Sequence, residues 1–519
     1  MQVIRTLGLL LIGACVPSLL PAQRPGTNDT AKVTIKKIPP PINSPFNDYA
    51  PLVSADGSTM LFTSNRPVTE REKQKGKPAM ENVYQVLFDE KKRKWGAPTL
   101  LGESVNAPGR NNSAIAISPD GQHMLVYRDD DQGNGNIFES ALNGTEWSEL
   151  VELPEPVNSD KHESSACYSP DGRSIYFVSD RPGGVGKKDV YKATRNADGG
   201  WGKAECLDRT INTKEDEQGV FLSTDGRTLY FSSKGQGGSG GYDLFRSTLT
   251  DGQWSVPRNL EAPINTADDD LYLVLRADGR NGYFSSIRSG GLGLKDIYEV
   301  KITPKPGRKA EEPKLTVLKG QVIDEETRQP VEARIQITDN ATRTSVGDQR
   351  SNSSSGNFLL PLPSGKDYGI SVSAAGYLFH SENINLPDTG GYKEVVTVIE
   401  LKKLKAGKTI VLNNVFYDFD QSTLRPESST ELDALVKLLE ENPSLRIELG
   451  SHTDSKGSDE YNMALSAARA KSVVDHLIAQ GIGTDRLVAK GYGESQPIGD
   501  NATEEGRQQN RRTEFRILE

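Results

Sequence analysis

A carboxylate and an arginine stand fifteen residues apart in the stretch LGSHTDSKGSDEYNMALSAARAKSV, 449–473. Asp454 lies in a Gly/Ser-rich turn, and Arg469 lies in a run of small apolar residues. On a helical wheel Arg469 falls at the edge of an apolar stripe, so its side chain is partly committed to the core. Its planar guanidinium can donate two parallel hydrogen bonds to a carboxylate. The two residues could form a structural ion pair, with Asp454 capping the helix, or they could bind a charged ligand together.

The elements that must position these residues alternate between strand and helix from Lys408 onward. One helix is indicated by apolar residues at i, i+3, i+4 and i+7 spacing, namely Leu432, Leu435, Val436 and Leu439. Asn442-Pro443 should end this helix before a strand from Leu445 to Leu449. The pattern predicts an α/β sandwich of about 110 residues.

Five ordered motifs in this region resemble the OmpA C-terminal family. They are VFYDFDQSTL, GSHTDSKGSDEYN, LSAARAKSVVDHL, GYGESQPI and NRRTEFRI, and the resemblance covers 408–519. It implies noncatalytic binding of peptidoglycan, with the family's Asp and Arg at Asp454 and Arg469. By the same motifs, further residues should line or adjoin the site: Tyr417, Asp418, Thr453, Asn462, Leu465, Arg511 and Arg512. Many relatives read Gly-[His/Tyr]-Thr-Asp, whereas here Ser451 separates Gly450 from His452, so the resemblance assigns no role to His452.

The ligand that this resemblance implies is the diaminopimelate of a peptidoglycan stem peptide. Its free amino acid group carries one ammonium and one carboxylate. A complementary site needs an acid and an arginine a few ångströms apart, and Asp454 and Arg469 meet that need. Each charge-assisted hydrogen bond contributes about 1.5–3 kcal/mol, which is enough in sum for roughly micromolar binding.

A repeated unit fills the first half of the chain. Asp-Gly pairs at 56, 120, 171, 225 and 278 recur about 50 to 64 residues apart, and Trp95, Trp147, Trp201 and Trp254 keep a similar step. Each unit reads as four strands, with Asp-Gly in a tight hairpin turn and the tryptophan in the fourth strand. The units resemble TolB-like propeller repeats. We predict a five-bladed β-propeller over 31–302, in which the N-terminal strand 33–38 supplies the strand that the fifth unit lacks.

A polar, Pro-containing linker at 303–313 should separate the propeller from the next domain, so the two need not pack rigidly on each other. From 314 to 403 apolar residues alternate with polar ones, which predicts an antiparallel β-sandwich with one solvated face per sheet. The stretches GQVIDEETRQPVEARIQI and GNFLLPLPSGKDYGISVSAAGY resemble the carboxypeptidase regulatory-like domain, a transthyretin-like fold. That resemblance implies a binding or spacer module.

The N-terminal 22 residues, MQVIRTLGLLLIGACVPSLLPA, are typical of an export signal. The tetrapeptide Ile12-Gly13-Ala14-Cys15 resembles a bacterial lipobox, which would make Cys15 a lipidated first residue. Plain cleavage after Ala22 is the alternative. Either reading places the mature protein outside the cytoplasm.

Several chemistries find little support in the sequence. The net charge of −9 and the lack of a basic block interleaved with aromatics argue against nucleic acid as a partner. Only five His and three Cys are present, and no His pair has metal-ligand spacing, so we expect no metal, no cofactor and no catalytic residue. Gly237-Gly238-Ser239-Gly240-Gly241 matches a nucleophile elbow, but a strand rather than a helix should come after it.

Cys167 and Cys206 should remain free thiols. The unit phasing places them on the first and fourth strands of one blade, roughly 14 Å apart at about 4.8 Å per strand. A disulfide tolerates at most about 7 Å between Cα atoms. This expectation tests the phasing of the repeat directly.

Together these features predict a multidomain, noncatalytic protein at the periplasmic face of the outer membrane. A lipid would anchor it to the membrane, the C-terminal domain would bind peptidoglycan, and the propeller and sandwich would hold unidentified envelope proteins. The order of modules is similar to that of peptidoglycan-binding lipoproteins of type IX secretion, which usually begin with helical TPR repeats that this chain lacks. An accessory role in that pathway is one alternative, and a cell-wall hydrolase is another.

Overall fold

The computed structural model describes residues 31–130, 133–196, 198–304, 314–388, 391–418 and 420–518. The predicted export signal, with Cys15 and Ala22, lies outside the described residues, as does 305–313 of the predicted linker. Three regions of structure succeed one another along the described chain: five antiparallel sheets, a two-sheet sandwich, and a mixed α/β unit.

The strands of the five sheets succeed one another in chain order. Strand β1 (Ala31–Lys37) joins the last of these sheets. The first sheet contains β2 (Asp48–Val53), β3 (Thr59–Ser64), β4 (Asn82–Asp89), β5 (Lys94–Trp95) and β6 (Thr99–Leu100), with helix α1 (Glu70–Lys75) between β3 and β4. The second contains β7 (Asn112–Ile117), β8 (His123–Asp129), β9 (Gly135–Asn143), β10 (Glu146–Trp147) and β11 (Val151–Glu152).

The remaining sheets repeat this arrangement. The third contains β12 (Glu163–Tyr168), β13 (Ser174–Ser179), β14 (Asp189–Thr194) and β15 (Glu205–Cys206). The fourth contains β16 (Glu217–Leu222), β17 (Thr228–Ser233), β18 (Asp243–Thr250), β19 (Gln253–Trp254) and β20 (Arg258–Asn259). The fifth contains β21 (Asp270–Leu275), β22 (Asn281–Ser286) and β23 (Asp296–Pro304), completed by β1.

Local turn chemistry explains why each unit begins with a hairpin. In the third sheet, Gly172 has a φ of 67°, a left-handed conformation that glycine adopts without steric cost. The Asp171 carboxylate accepts a hydrogen bond of 3.0 Å from the Arg173 amide and another from the Ser169 hydroxyl. The Asp side chain therefore closes the turn that the glycine backbone permits.

The first strands of the five sheets contact one another in a closed ring, with β2 against both β7 and β21. Strand β1 pairs antiparallel with β23, with Ile35 opposite Val300, so the N-terminal strand completes the last sheet. The predicted fourth strand is divided into two short strands in the first, second and fourth sheets. In the first sheet Trp95 lies in a two-residue strand, and after Pro98 a second two-residue strand returns to β4. Proline has no N–H for the ladder, which explains the break.

Both cysteines in the described part of the chain are free thiols, as predicted. Cys167 lies on β12 and is buried, and Cys206 ends β15 and is partly buried. The two thiols sit in different apolar clusters, because β13 and β14 separate their strands.

The sandwich consists of two sheets that differ from the prediction in one respect. Its strands are β24 (Leu315–Asp324), β25 (Arg334–Asp339), β26 (Thr344–Arg350), β27 (Asn357–Pro363), β28 (Lys366–Ser373), β29 (His380–Leu386) and β30 (Lys393–Leu401). The sheet orders are β27-β24-β30 and β26-β25-β28-β29. β24 and β30 run parallel, so the sandwich is not purely antiparallel as expected. A parallel neighbour cannot come from a hairpin, and period-two alternation alone does not reveal strand direction.

The outer face of the β27-β24-β30 sheet is not fully solvated either. Leu315, Val317 and Leu359 form a buried cluster with Ala277 of the fifth repeat unit. The Asn352 amide donates a hydrogen bond of 2.7 Å to the Gly144 carbonyl across the same boundary. From the composition of the linker we predicted only that the two regions need not pack rigidly on each other. In the structure the sandwich contacts the repeat region.

The C-terminal region is an α/β unit built on one four-stranded sheet. Its elements are β31 (Thr409–Val411), α2 (Ser429–Glu441), β32 (Ile447–His452), α3 (Asp459–Ala479), β33 (Leu487–Gly493), α4 (Glu504–Asn510) and β34 (Thr513–Ile517), with short 3-10 turns at Pro426–Ser428 and Thr484–Arg486. The sheet order is β31-β34-β32-β33. Leu435, Leu477 and Phe515 are fully buried between the helices and the sheet.

The sandwich and the C-terminal unit share part of their cores. Leu378 and Phe379, which precede β29, belong to the C-terminal apolar cluster, and the Phe379 ring lies 5.8 Å from the Phe515 ring. At the same boundary the buried Glu431 carboxylate accepts a hydrogen bond of 2.9 Å from the Asn414 amide and another from the Ser381 hydroxyl. Burial raises the pKa of Glu431 to about 7.

Within the described ranges, no helix combines the length and the apolar character that crossing a membrane requires.

Candidate binding site in the C-terminal region

The turn between β32 and α3 brings the predicted site together. Strand β32 ends at His452, and Thr453 and Asp454 come directly after it. Helix α3 begins after Ser458, whose hydroxyl accepts a hydrogen bond of 3.3 Å from the Tyr461 amide. Ser458 is therefore the helix cap, and the interpretation of Asp454 as the cap is wrong. A cap four residues later leaves the Asp454 side chain available for other contacts.

Asp454 forms its ion pair with Arg511. The Oδ2 atom of Asp454 lies 2.6 Å from Nη1 of Arg511, and Oδ1 accepts a 2.9 Å hydrogen bond from the Lys456 amide. Among the described residues, no ion pair joins Asp454 to Arg469, so the structural pairing of those two is also wrong. The reason is that the guanidinium of Arg511, in the segment between α4 and β34, lies within bonding distance of the Asp454 carboxylate.

Arg469 instead lies over an aromatic ring. Its guanidinium carbon is 4.9 Å from the centre of the Tyr417 ring, and its Nε donates a 3.0 Å hydrogen bond to the Gln421 carbonyl. Burial lowers the pKa of Arg469, and the positive charge of Arg511 acts in the same direction. The described residues offer no partner for its two terminal nitrogens. These four N–H groups are therefore available to an anion.

Arg511 is held in place by two further acceptors. Its Nη2 donates to Glu504 at 2.8 Å and to Gln508 at 2.5 Å, both on α4. Hydrogen bonds from Arg511 and Arg507 lower the pKa of Glu504 to about 2. The Asp454 carboxylate thus lies near two guanidinium groups with different contacts, because Arg511 has three acceptors and Arg469 stacks on Tyr417.

Three other predicted residues lie beside these charges. Tyr417 supplies the ring under Arg469, and Leu465 lies half-buried on α3, one turn before Arg469. Thr453 is buried, and its hydroxyl has no hydrogen-bond partner among the described residues. An unpaired buried hydroxyl next to Asp454 is a group that a ligand can satisfy.

The remaining candidate residues contact other groups. The Asn462 amide donates to the Asp454 carbonyl at 3.3 Å and to the Glu494 carboxylate at 2.6 Å, so it holds the turn. Arg512 donates to Glu514 and to the Gln496 carbonyl rather than to Asp454. The Asp418 side chain is 73% exposed and lies 3.8 Å from Arg425. These residues act on the site through its support or lie outside its centre.

His452 has a structural environment. It is 1% exposed, its ring stacks on Tyr492 at 4.9 Å, and its Nε2 lies 3.3 Å from Glu514. Ser451, the residue that departs from the family pattern, is also buried, and its hydroxyl bonds to Thr513 at 2.9 Å. The extra residue is accommodated in β32, so His452 does not line the site.

Gln421 and Glu504 contact the arginines of the site, and nothing in the sequence predicts these contacts. Gln421 acts through its backbone carbonyl, for which side-chain identity is irrelevant. Glu504 lies in the first turn of α4 after the Thr503 cap, where an acid is expected for the helix dipole alone. Only the placement of α4 beside the β32–α3 turn gives Glu504 its role as a partner of Arg511.

Comparisons with known proteins bear on this region of the chain. Residues 416–511 match the model of the OmpA family. Outer membrane porin F of Pseudomonas fluorescens is 44% identical over 104 residues, which are 20% of this chain and 32% of that protein. The peptidoglycan-associated lipoprotein of Pseudomonas putida is 38% identical over 105 residues, which are 20% of this chain and 63% of that protein. The chain thus spans less than two thirds of each of these two relatives.

The repeat region has a more distant structural neighbour. The crystal structure of TolB from Acinetobacter baumannii has 18% sequence identity to this chain and a TM-score of 0.29. The match covers 50% of this chain and 55% of the TolB chain. At that TM-score the likeness does not establish a shared fold. The C-terminal region is therefore the part of the chain that the comparisons characterise.

Proposed function

We propose that this protein anchors partners of the cell envelope to peptidoglycan without catalysis, through the C-terminal site around Asp454. The observation that carries the proposal is the arrangement of one buried carboxylate, two guanidinium groups and an unpaired threonine hydroxyl in one place. The OmpA family match over 416–511 and the similarity to a peptidoglycan-associated lipoprotein support the choice of peptidoglycan as ligand.

The ligand group that fits this arrangement is the free amino acid end of diaminopimelate. Its carboxylate would accept hydrogen bonds from the free N–H groups of Arg469, and its ammonium would donate to Asp454. Arg511 is neutralised by Asp454 and Glu504, so the terminal N–H groups of Arg469 are what favours a ligand that brings a carboxylate. Thr453 would bond either group, since a hydroxyl both donates and accepts.

The decisive experiment is cosedimentation of the full-length protein with insoluble peptidoglycan. Asp454→Ala and Arg469→Ala should each abolish pelleting. Lys471→Ala is a matched control, because Lys471 lies on the same helix, is exposed, and pairs only with Asp475 in the described structure. Pelleting of either site variant at the level of the control would overturn the assignment. Amidated diaminopimelate as a competitor would test which group Arg469 recognises.

For the whole chain we propose a modular architecture. The five sheets are the blades of a five-bladed propeller over 31–302, succeeded by a linker at 303–313, a transthyretin-like sandwich over 314–403, and an OmpA-like domain over 408–519. The ring of first strands and the pairing of β1 with β23 support the propeller. The propeller and sandwich would bind envelope proteins, which crosslinking in cells and subsequent affinity purification would identify.

We further propose that residues 1–22 direct export and that a lipid on Cys15 anchors the protein at the periplasmic face of the outer membrane. Cys15→Ala should then give a protein that washes off membranes. Plain cleavage after Ala22 predicts no change, and the intact mass of the native N-terminus separates the two.

Two alternatives remain distinct proposals with their own tests. An accessory role in type IX secretion predicts that loss of the protein blocks that export route, whereas a pure anchor predicts intact export. A cell-wall hydrolase predicts soluble muropeptides after incubation of the purified protein with peptidoglycan. The anchor proposal predicts none.

A further inference from the structure

The first strands of the five sheets enclose a channel that the proposed function does not use. Its narrower segment is lined by one residue from each sheet at the same level: Ala50, Ala114, Ser165, Gly219 and Tyr272. Its wider segment opens among the Asp-Gly hairpins, between Ala55, Pro119, Pro170, Thr224 and Ala277. Leu52, Ile115, Val220 and Val274 line both segments, so the two are continuous.

The dimensions of the channel suit an elongated ligand. From Ala50 to the end of β2 at Val53 the lining strand advances three residues, or roughly 10 Å at about 3.3 Å per residue, and the wider segment continues past it to Ala55. The cavity volume is about 80 Å³ in the wider segment and about 20 Å³ in the narrower one, so the channel has room for a thin ligand only.

The lining offers little to a polar ligand. Among the described residues that line the channel, none carries a charge. Several of its polar side chains already have partners. The Ser165 hydroxyl accepts a 3.1 Å hydrogen bond from the Gly219 amide, and the Tyr168 hydroxyl donates to Glu139 at 2.8 Å. A polar group placed here would lose its hydration and find few partners, which is costly.

The two ends of the channel differ. At the narrow end, Tyr272 has a φ of 56°, an uncommon value for a residue other than glycine, and its ring lies 5.8 Å from that of Tyr49. Its hydroxyl accepts a 2.7 Å hydrogen bond from the Gln218 amide. At the wide end, Ala55 and Ala277 pack in the same cluster as Leu315 of the sandwich. The channel is therefore stopped by tyrosines at one end and bordered by the sandwich at the other.

We propose that this channel binds one unbranched hydrocarbon chain, such as the acyl chain of a lipid, with the polar head group at the hairpin end. An apolar cavity of this kind stays dry and accepts apolar guests. A peptide is a poorer fit, because in the narrow segment the Ala50 and Gly219 amides already donate to serine hydroxyls of neighbouring sheets. A peptide backbone there would leave its own amides unpaired.

The test is titration of the full-length Cys15→Ala protein with N-dodecyl dansylamide, whose alkyl chain ends in a methyl group, monitored by dansyl fluorescence. We expect saturable binding of one probe per chain, at least tenfold weakened by Val220→Trp, which fills the segment shared by both parts of the channel. Val256→Trp is the matched control, because Val256 is 79% exposed near β19, in the same sheet. Equal affinity of the two variants would overturn the proposal.

A second measurement does not require the tryptophan variants to fold. A fatty acid with a photoreactive diazirine in mid-chain should label peptides containing Ile115 or Val220 in the Cys15→Ala protein. Labelling confined to other surfaces would contradict the proposal, as would displacement of the probe by an apolar octapeptide but not by dodecanol.

The same assay distinguishes between two sources of the hydrocarbon chain. If the protein's own N-terminal lipid fills the channel, the lipidated wild type should bind the dansyl probe at least tenfold more weakly than Cys15→Ala. If the source is a free or membrane lipid, the two proteins should bind alike after delipidation. Peptidoglycan cosedimentation is independent of both outcomes.

Discussion

Asp454 and Arg511 form an ion pair with 2.6 Å between Oδ2 and Nη1, although 57 residues separate them along the chain. Arg511 is at the same time bound by Glu504 and Gln508 of α4. The acid of the candidate site is thus oriented by a cation that is itself fixed by a helix. Arg469, the residue that the family motif emphasises, approaches from another element and keeps its terminal N–H groups free.

We predict that Arg511→Ala weakens binding of a diaminopimelate-containing stem peptide roughly tenfold to a hundredfold. The lost interaction is the charge-assisted hydrogen bond of about 1.5–3 kcal/mol by which Arg511 orients the Asp454 carboxylate for the ligand. Isothermal titration would measure it. Arg512→Ala is the neighbouring comparison, since Arg512 donates to Glu514 and Gln496. A larger loss of affinity for Arg512→Ala, in protein with an unchanged melting temperature, would show that the roles of the two arginines are reversed.

We predict that the boundary between the sandwich and the C-terminal domain is more stable at pH 5 than at pH 8. Burial raises the pKa of Glu431 to about 7 from its usual 4.5, so the native state holds a proton that the unfolded state releases between these values. Stability falls as pH rises through this window and levels off above it, by up to about 3 kcal/mol for a fully buried group.

Glu431→Gln tests this directly, because the amide cannot ionise. Hydrogen exchange of peptides covering β29 and α2 should slow in the variant relative to wild type at pH 8, and differ little at pH 5. An equal change at both pH values would mean that ionisation of Glu431 does not govern the boundary.

The fourth sheet should also lose stability as pH rises. Three sheets pair a buried acid with an arginine 18 residues later: Asp48 with Arg66, Glu163 with Arg181, and Asp270 with Arg288. In the fourth, the Gln236 amide occupies the arginine's place on the carbonyls of Thr210 and Ile211. Glu217 thus lacks a guanidinium, and burial raises its pKa to about 7.

We therefore predict that Gln236→Arg stabilises the fourth sheet at pH 8 and has little effect at pH 5, where Glu217 is protonated. The sign is positive at pH 8 because a guanidinium favours the ionised carboxylate, the form that dominates above pH 7. Hydrogen exchange of β16 and β17 at the two pH values is the measurement. Destabilisation at pH 8 would show that the longer side chain cannot reach Glu217.

Thiol titration of the Cys15→Ala protein should find two reactive groups in denaturant without reductant. In the native protein Cys167 should stay unreactive, since burial raises its pKa to about 12, and Cys206 should react slowly. Fast labelling of Cys167 by a neutral maleimide in native conditions would contradict its burial on β12.

Sequence determined those features that depend on local periodicity and on turn chemistry. The Asp-Gly pairs and alternating apolar residues were enough to phase the repeat, and hence to predict that Cys167 and Cys206 stay free. The spacing of leucines predicted α2, which ends at Glu441 before Asn442-Pro443. The sequence placed Asp454 in a turn and Arg469 on a helix, and the structure has both placements, because each motif lies within one short stretch of chain.

Tertiary structure alone decided which charges meet. Arg511 and Arg512 are adjacent in sequence and chemically identical, and only the position of α4 turns one toward Asp454 and the other toward Glu514. The same holds for the parallel pairing of β24 with β30 and for Phe379 packing on Phe515. These contacts join residues tens of positions apart, where the free energy depends on how whole elements pack. Local sequence pattern therefore does not predict which of these long-range contacts form.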